Sequence, residues 1–170
     1  EAPGTQAVGE PANPFLGERK KYFVGRGQWS LGRGSYAGAI LTDTGFGDGW
    51  NRVAGADLSL KRGAHQATAT FLASKGRAQD GLAETDGLAG QAFYAYESKR
   101  LVFASQLEHY DTDFRMDTAF VNQTGVTQGW SFLAPSFYPD SAKNKWLKRV
   151  VPFVFTNYGK DRVQGGNKWL

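Results

Sequence analysis

From Lys20 onward the chain alternates polar and apolar residues with a period of two, in segments of about ten residues separated by Gly, Asp, Asn and Ser. That period restricts the backbone to extended strands, because only a strand sends successive side chains to opposite faces. Tyr22 to Leu31 sets Phe23, Gly25, Gly27, Trp29 and Leu31 against Arg26, Gln28 and Ser30. Asn51 to Lys61 sets Ala54, Ala56, Leu58 and Leu60 against Asp57, Ser59 and Lys61, and Gln66 to Ser74 sets Ala67, Ala69, Phe71 and Ala73 against Gln66, Thr68, Thr70 and Ser74. Leu88 to Glu97 sets Leu88, Ala92, Tyr94 and Tyr96 against Gln91 and Glu97. Leu101 to Tyr110 sets Leu101, Phe103 and Leu107 against Gln106 and Glu108. Ser35 to Asp43, Gln128 to Tyr138 and Leu147 to Tyr158 are weaker strands, and Pro135 and Pro152 place the last two at edges or irregularities. The expected fold is therefore all-β: an antiparallel up-and-down meander of about eight strands, either a transmembrane β-barrel or part of one.

The content of the two faces separates a membrane barrel from a soluble sandwich. The apolar faces are rich in Ala and Gly, and Ile occurs once in the chain, at Ile40. A packed soluble β core draws more heavily on β-branched residues. A lipid-facing band instead takes small and aliphatic residues with aromatics at its borders, while a lumen takes Gln, Ser, Thr and charged residues. On that division Arg26, Gln28, Asp57, Gln66, Gln91, Glu97, Gln106 and Glu108 are expected to line a lumen. Tyr22, Trp29, Tyr94, Tyr96 and Trp130, near segment ends, are expected at the interfaces. Connection lengths also alternate, short near Arg33, Gly63 and Lys99 and long over 43–50, 75–87 and 111–126, as barrel turns and loops do. The connection over 139–146 departs from that pattern.

The remaining features exclude several chemistries. The 170 residues contain no Cys, which removes disulfides, thiolate nucleophiles and zinc–thiolate sites. No run approaches the roughly 18 apolar residues of a membrane-spanning helix. Residues 1–19, with Pro3, Pro11 and Pro14, read as a loop or linker before a single β unit over 20–170. Their start carries no signal-peptide pattern, so the expectation is a chain cut from something longer. Asp111, Asp113 and Asp117 lack the Gly and Glu positions of an EF-hand, and Asp113 and Asp117 are assigned to turn capping and pairing with Arg115. Gly45-Phe46-Gly47-Asp48-Gly49 lacks the Lys-Ser/Thr of a phosphate loop and reads as a flexible loop. His65 and His109 have no metal spacing, and Glu97 with Glu108 is the one carboxylate pair offering hydrolytic chemistry. The reading is accordingly of no enzyme, no metal and no cofactor. The net charge of +4 and the cluster Lys143, Lys145, Trp146, Lys148 and Arg149 suit anionic lipid headgroups, while the basic face is too narrow for nucleic acid.

Several stretches carry a resemblance. Tyr22-Phe23-Val24-Gly25-Arg26, Thr42-Asp43, Trp50-Asn51-Arg52-Val53-Ala54-Gly55-Ala56-Asp57 and Asp113-Phe114-Arg115-Met116-Asp117-Thr118-Ala119-Phe120-Val121 are similar to a family of large bacterial proteins of unassigned activity. Its members carry a domain like the family-nine carbohydrate-binding modules, followed by a C-terminal outer-membrane β-barrel. The resemblance covers most of residues 20–138 and implies an internal part of that barrel, with further strands elsewhere. It also implies location in the bacterial outer membrane, lipid as the principal partner and a role as porin-like pore, anchor or display platform. A link to oligosaccharide uptake follows by analogy only. The competing expectation is a soluble carbohydrate-binding sandwich or jelly roll in which Trp29, Trp50 and Trp130 stack on a sugar.

Overall fold

The computed structural model describes residues 18–78, 83–119, 121–140 and 146–169. Among these residues the chain forms one sheet of nine antiparallel strands in strict sequence order, with no helix. The strands are β1 (Lys21–Gly32), β2 (Ser35–Phe46), β3 (Gly49–Arg62), β4 (His65–Arg77), β5 (Glu84–Glu97), β6 (Leu101–Tyr110), β7 (Val126–Pro135), β8 (Val154–Asp161) and β9 (Gly166–Trp169). β1 and β9 each have one neighbour, so the sheet is an open meander and does not close into a barrel. Most of the reading of residues 1–19, and Lys143 and Lys145 of the basic cluster, fall outside the described residues.

The meander differs from expectation at four places, one of them 75–87, where Lys75 pairs with Asp86 and Arg77 with Glu84 so that the ladder runs into the expected loop. The loop expected over 43–50 is a two-residue turn, because Gly45 pairs with Trp50 and Phe46 with Gly49. Gly47 takes φ 56°, a conformation that costs glycine little and lets the chain reverse there. Gly45 and Gly49 are thus strand residues within the ladder. The strand expected over 147–158 begins only at Val154, and among the described residues before it Phe137 and Val150 form an isolated bridge. Finally, a short ninth strand, β9, follows a turn ending at Gly165, and Gly165 and the first strand residue Gly166 both have positive φ.

Register assigns every strand residue to a face. One face carries Phe23, Trp29, Leu41, Leu58, Phe71, Leu88, Tyr94, Leu107 and Leu133, and all of them are exposed. Leu41 is 57% and Phe71 54% accessible, values foreign to a folded core. The opposite face holds Thr44, Asn51, Val53, Ser74 and Ala89, all buried, with Asn51 and Thr44 only 1% accessible. The packed core therefore lies on the polar side, under the segment that joins β6 to β7.

Candidate functional site on the polar face

The eight residues expected to line a lumen all stand on this polar face. Gln28, Gly38, Asp57, Thr70, Gln91, Glu108 and Gln128 form one row, each opposite the next across β1 to β7. Gly38 leaves a gap in that row, and Arg26 of β1 reaches past it to donate to both Asp57 oxygens at 3.2 and 3.1 Å. A Cβ on Gly38 would sit 2.6 Å from Asp57 Oδ1, so the pair depends on the missing side chain. Gln128 donates from its amide to the Glu108 carboxylate. Gln106 lies one row further, and Gln66 and Glu97 lie beyond it toward the short turns. Glu108 faces Gln91 while Glu97 faces Val102. Six residue steps between two pairs in one ladder amount to on the order of 20 Å, well beyond the 5–10 Å of a glycosidase pair.

At the other end of the face, residues 111–119 fold onto the sheet. Asn51 anchors them twice: its Nδ2 donates to the Arg115 carbonyl at 3.0 Å and its Oδ1 accepts from the Asp117 N–H at 3.1 Å. Ser74 Oγ accepts from the Arg115 N–H at 3.2 Å and donates to the Gly87 carbonyl at 3.2 Å. Thr44 Oγ1 donates to Asp117 Oδ2 at 3.2 Å, and Lys20 approaches the same carboxylate at 3.7 Å. Arg115 grips Asp117 with two donors, at 2.6 and 2.9 Å, which is the pairing expected of Asp117. Asp113 does not share it and accepts instead from Thr112 Oγ1 at 3.3 Å. Phe114 is 3% accessible and meets Tyr110 edge-on, while its backbone crosses so close to Gly87 that a Cβ there would stand 2.5 Å from the Phe114 nitrogen.

Asp111 closes the base of this segment. Its carboxylate accepts from the Leu88 N–H at 2.9 Å and from His109 Nε2 at 3.1 Å. Those contacts, the Leu88 hydrogen bond first, hold its pKa below the usual carboxylate range. Among the described residues no three acidic or His side chains are placed to hold a metal.

The short-turn end carries a cleft of about 690 Å³ lined by Lys61, Gln66, Glu97, Lys99, Tyr138 and Arg149. Tyr138 donates to the Lys99 carbonyl at 2.9 Å, and its ring has two cations over it, Lys99 at 5.5 Å and Arg149 at 5.9 Å. Arg149 also donates to Ser136 Oγ at 2.8 Å. Of the expected basic cluster, Arg149 therefore turns onto the protein, whereas Trp146 is almost fully exposed.

The interfacial aromatics divide. Trp29, Tyr94 and Tyr96 stand on the apolar face, with His65 2.7 Å from the Tyr94 hydroxyl. Tyr22 and Trp130 stand on the polar face, contrary to the expectation that they join a girdle with the others. Proximity to a segment end groups them, but strand parity decides the face: Tyr22 adjoins Phe23 of the apolar face, and Trp130 is paired with Gln106 and Asn157. Trp130 packs between Phe93 and Phe155, each with ring centroids 6.1 Å away, and lies nearly parallel to Phe155 at 25°. The sugar platform of Trp29, Trp50 and Trp130 is not assembled, since Trp29 and Trp50 occupy the other face. Sequence reading also passed over Thr44 and Asn51 and gave Ser74 no role beyond its face. They are ordinary strand polar residues until the distant loop is seen to lie on them.

Comparison with family models, with curated proteins and with solved structures finds no match to this chain.

Proposed function

We propose that this chain forms part of the wall of a bacterial outer-membrane β-barrel, with the apolar face in lipid and the polar face lining a lumen that residues 111–119 narrow. The reading rests on an inversion of burial: the apolar face is the exposed one and the polar face carries the packed, hydrogen-bonded residues. Water would make that arrangement costly, at about 25 cal/mol per Å² of apolar area left uncovered, whereas hydrocarbon removes the cost.

The apolar band has borders that fit a bilayer. On one side Asp43, Arg52, Lys75 and Asp86 form a charged row across β2 to β5. On the other, Arg62, His65 and Tyr96 stand opposite one another. Ten residue steps separate Arg52 from Arg62 along β3. At about 3.3 Å per step and a tilt of about 40°, the band is about 25 Å tall, the height of the apolar belt of such barrels. Between the borders β3 presents only Ala54, Ala56, Leu58 and Leu60 to that side.

The two free edges belong to the same proposal. A twelve-residue β1 with one neighbour leaves a row of unpaired N–H and C=O groups, which hydrocarbon does not tolerate. Strands of a larger barrel, or of a second chain, complete the wall in the membrane. The test is circular dichroism with size-exclusion chromatography, after refolding with and without micelles of a sugar-free detergent. A cooperative β signal and a defined particle only with micelles are expected. A monodisperse β protein in plain buffer would overturn the membrane reading.

A further inference from the structure

Aromatic rings on the polar face have no part in a lipid belt, yet Phe93, Trp130 and Phe155 form a continuous strip across β5, β7 and β8. Phe93 and Trp130 are both register partners of Gln106, so their rings meet above the strand between them. Phe155 is 55% accessible, and Trp130 and Phe93 are half-buried, so the strip presents ring surface to whatever occupies this face. In a watery lumen such exposure is unfavourable unless a ligand covers it.

The groups beside the strip specify that ligand. Gln106 and Asn157 share its row, and Gln91, Glu108 and Gln128 fill the row beneath. Four of these five are neutral amides, each offering both donors and an acceptor, and the carboxylate is engaged by Gln128. Across β1 to β8 neither row contains a Lys or Arg, and Arg26, which reaches the lower row at Asp57, is committed to that carboxylate. An anionic ligand thus finds no free counter-charge in these two rows. A flat molecule with C–H faces and a rim of hydroxyl groups matches both features, because its faces pack on rings and each hydroxyl pairs with an amide.

From this juxtaposition we infer that the polar face binds neutral oligosaccharides, with Trp130 as the central stacking residue, Phe93 and Phe155 extending the platform and Gln106, Gln128 and Asn157 reading hydroxyls. The inference rests on the barrel reading for its setting, since a lumen makes this face a passage, but the binding itself is separable from it. The three rings in succession favour a linear chain of sugars over a single one. The face opposite carries the control residue, Trp29.

The experiment is a titration of the refolded full chain, in a sugar-free detergent, with maltohexaose, read by tryptophan fluorescence and calorimetry. Saturable binding is expected, weakened at least about tenfold by Trp130→Ala and by Gln106→Ala and unchanged by Trp29→Ala, a tenfold loss being about 1.4 kcal/mol. Adenosine and inorganic phosphate serve as competing probes for stacking without hydroxyl matching and for anion binding. Equal or tighter binding of either, no saturation with maltohexaose, or equal loss on Trp29→Ala would overturn the inference. Because Gln106→Ala leaves every ring in place, a misfolded Trp130 variant would not hide the answer. The same samples carry the detergent dependence of the β signal, so a chain that folds without micelles but binds sugar sinks the barrel reading alone.

Discussion

The two faces of one sheet obey opposite rules. On the apolar face, Leu41, Leu58 and Phe71 lie open, and among the described residues no segment packs over them. On the polar face, Asn51, Thr44 and Ser74 are sealed beneath residues 111–119 and hydrogen-bonded to them. The difference teaches that alternation alone does not tell which side is inside. Hydrogen-bonding chemistry does, because a loop can be fixed only where the sheet offers donors and acceptors for its backbone.

The sharpest way to break the comparison is to exchange the character of one residue on each face. Leu58→Arg is expected to destabilise the micelle-bound protein by about 2–4 kcal/mol, while Gln91→Arg, exposed on the polar face, changes stability little. Denaturant midpoints for both variants decide it, and equal costs would remove the assignment of faces. Next in size is Asn51→Ala, which leaves the Arg115 carbonyl and the Asp117 N–H without their partner. A loss of about 1–3 kcal/mol is expected, with faster tryptic cleavage after Arg115. Gly87→Ala attacks the same seat by sterics: its Cβ meets Phe114 backbone at 2.5 Å, so about 1–3 kcal/mol and the same rise in cleavage follow. Unchanged cleavage in both variants would show that the segment is held by something else.

Smaller effects sharpen the picture. Gly38→Ala pushes into the Asp57 carboxylate and parts it from Arg26, a half-exposed pair worth at most about 1 kcal/mol. The smallest is the acid response of Asp111. Its folded pKa lies below the unfolded one, so its contribution is present above the unfolded carboxylate pKa and fades as pH falls through the folded value. Exchange of the Leu88 amide with deuterium, followed with decreasing pH after correction for intrinsic rate, should rise across that window, and Asp111→Asn should flatten the response.

Strand existence and face were legible because period two is local: Phe23 to Leu31, and Ala54 to Leu60, carry their assignment within a few residues. The eight polar residues from Arg26 to Glu108 shared a face for the same reason. Tyr22 and Trp130 were misjudged because closeness to a strand end is not parity. The turn at Gly47-Asp48 was hidden by glycines at 45 and 49 that mimic a loop yet pair across the ladder. β9 is four residues long, begins at a glycine and follows another, too little for a pattern. The seat of residues 111–119 was illegible in principle, since Asn51 and Asp117 lie 66 positions apart and neither is unusual alone.

That separation has a bearing on how the molecule is assembled. Every strand pairs with its sequence neighbour, so the sheet grows hairpin by hairpin through short-range closures, which favours fast formation. The contacts from Thr44, Asn51 and Ser74 to the 111–119 segment reach across four, three and two intervening strands and cannot form until those strands are aligned. A slip of one residue anywhere between β3 and β6 would turn the anchoring side chains to the wrong side. Docking of this segment therefore acts as a checkpoint on the alignment of the hairpins before it, rewarding the one register in which all three anchors find their partners.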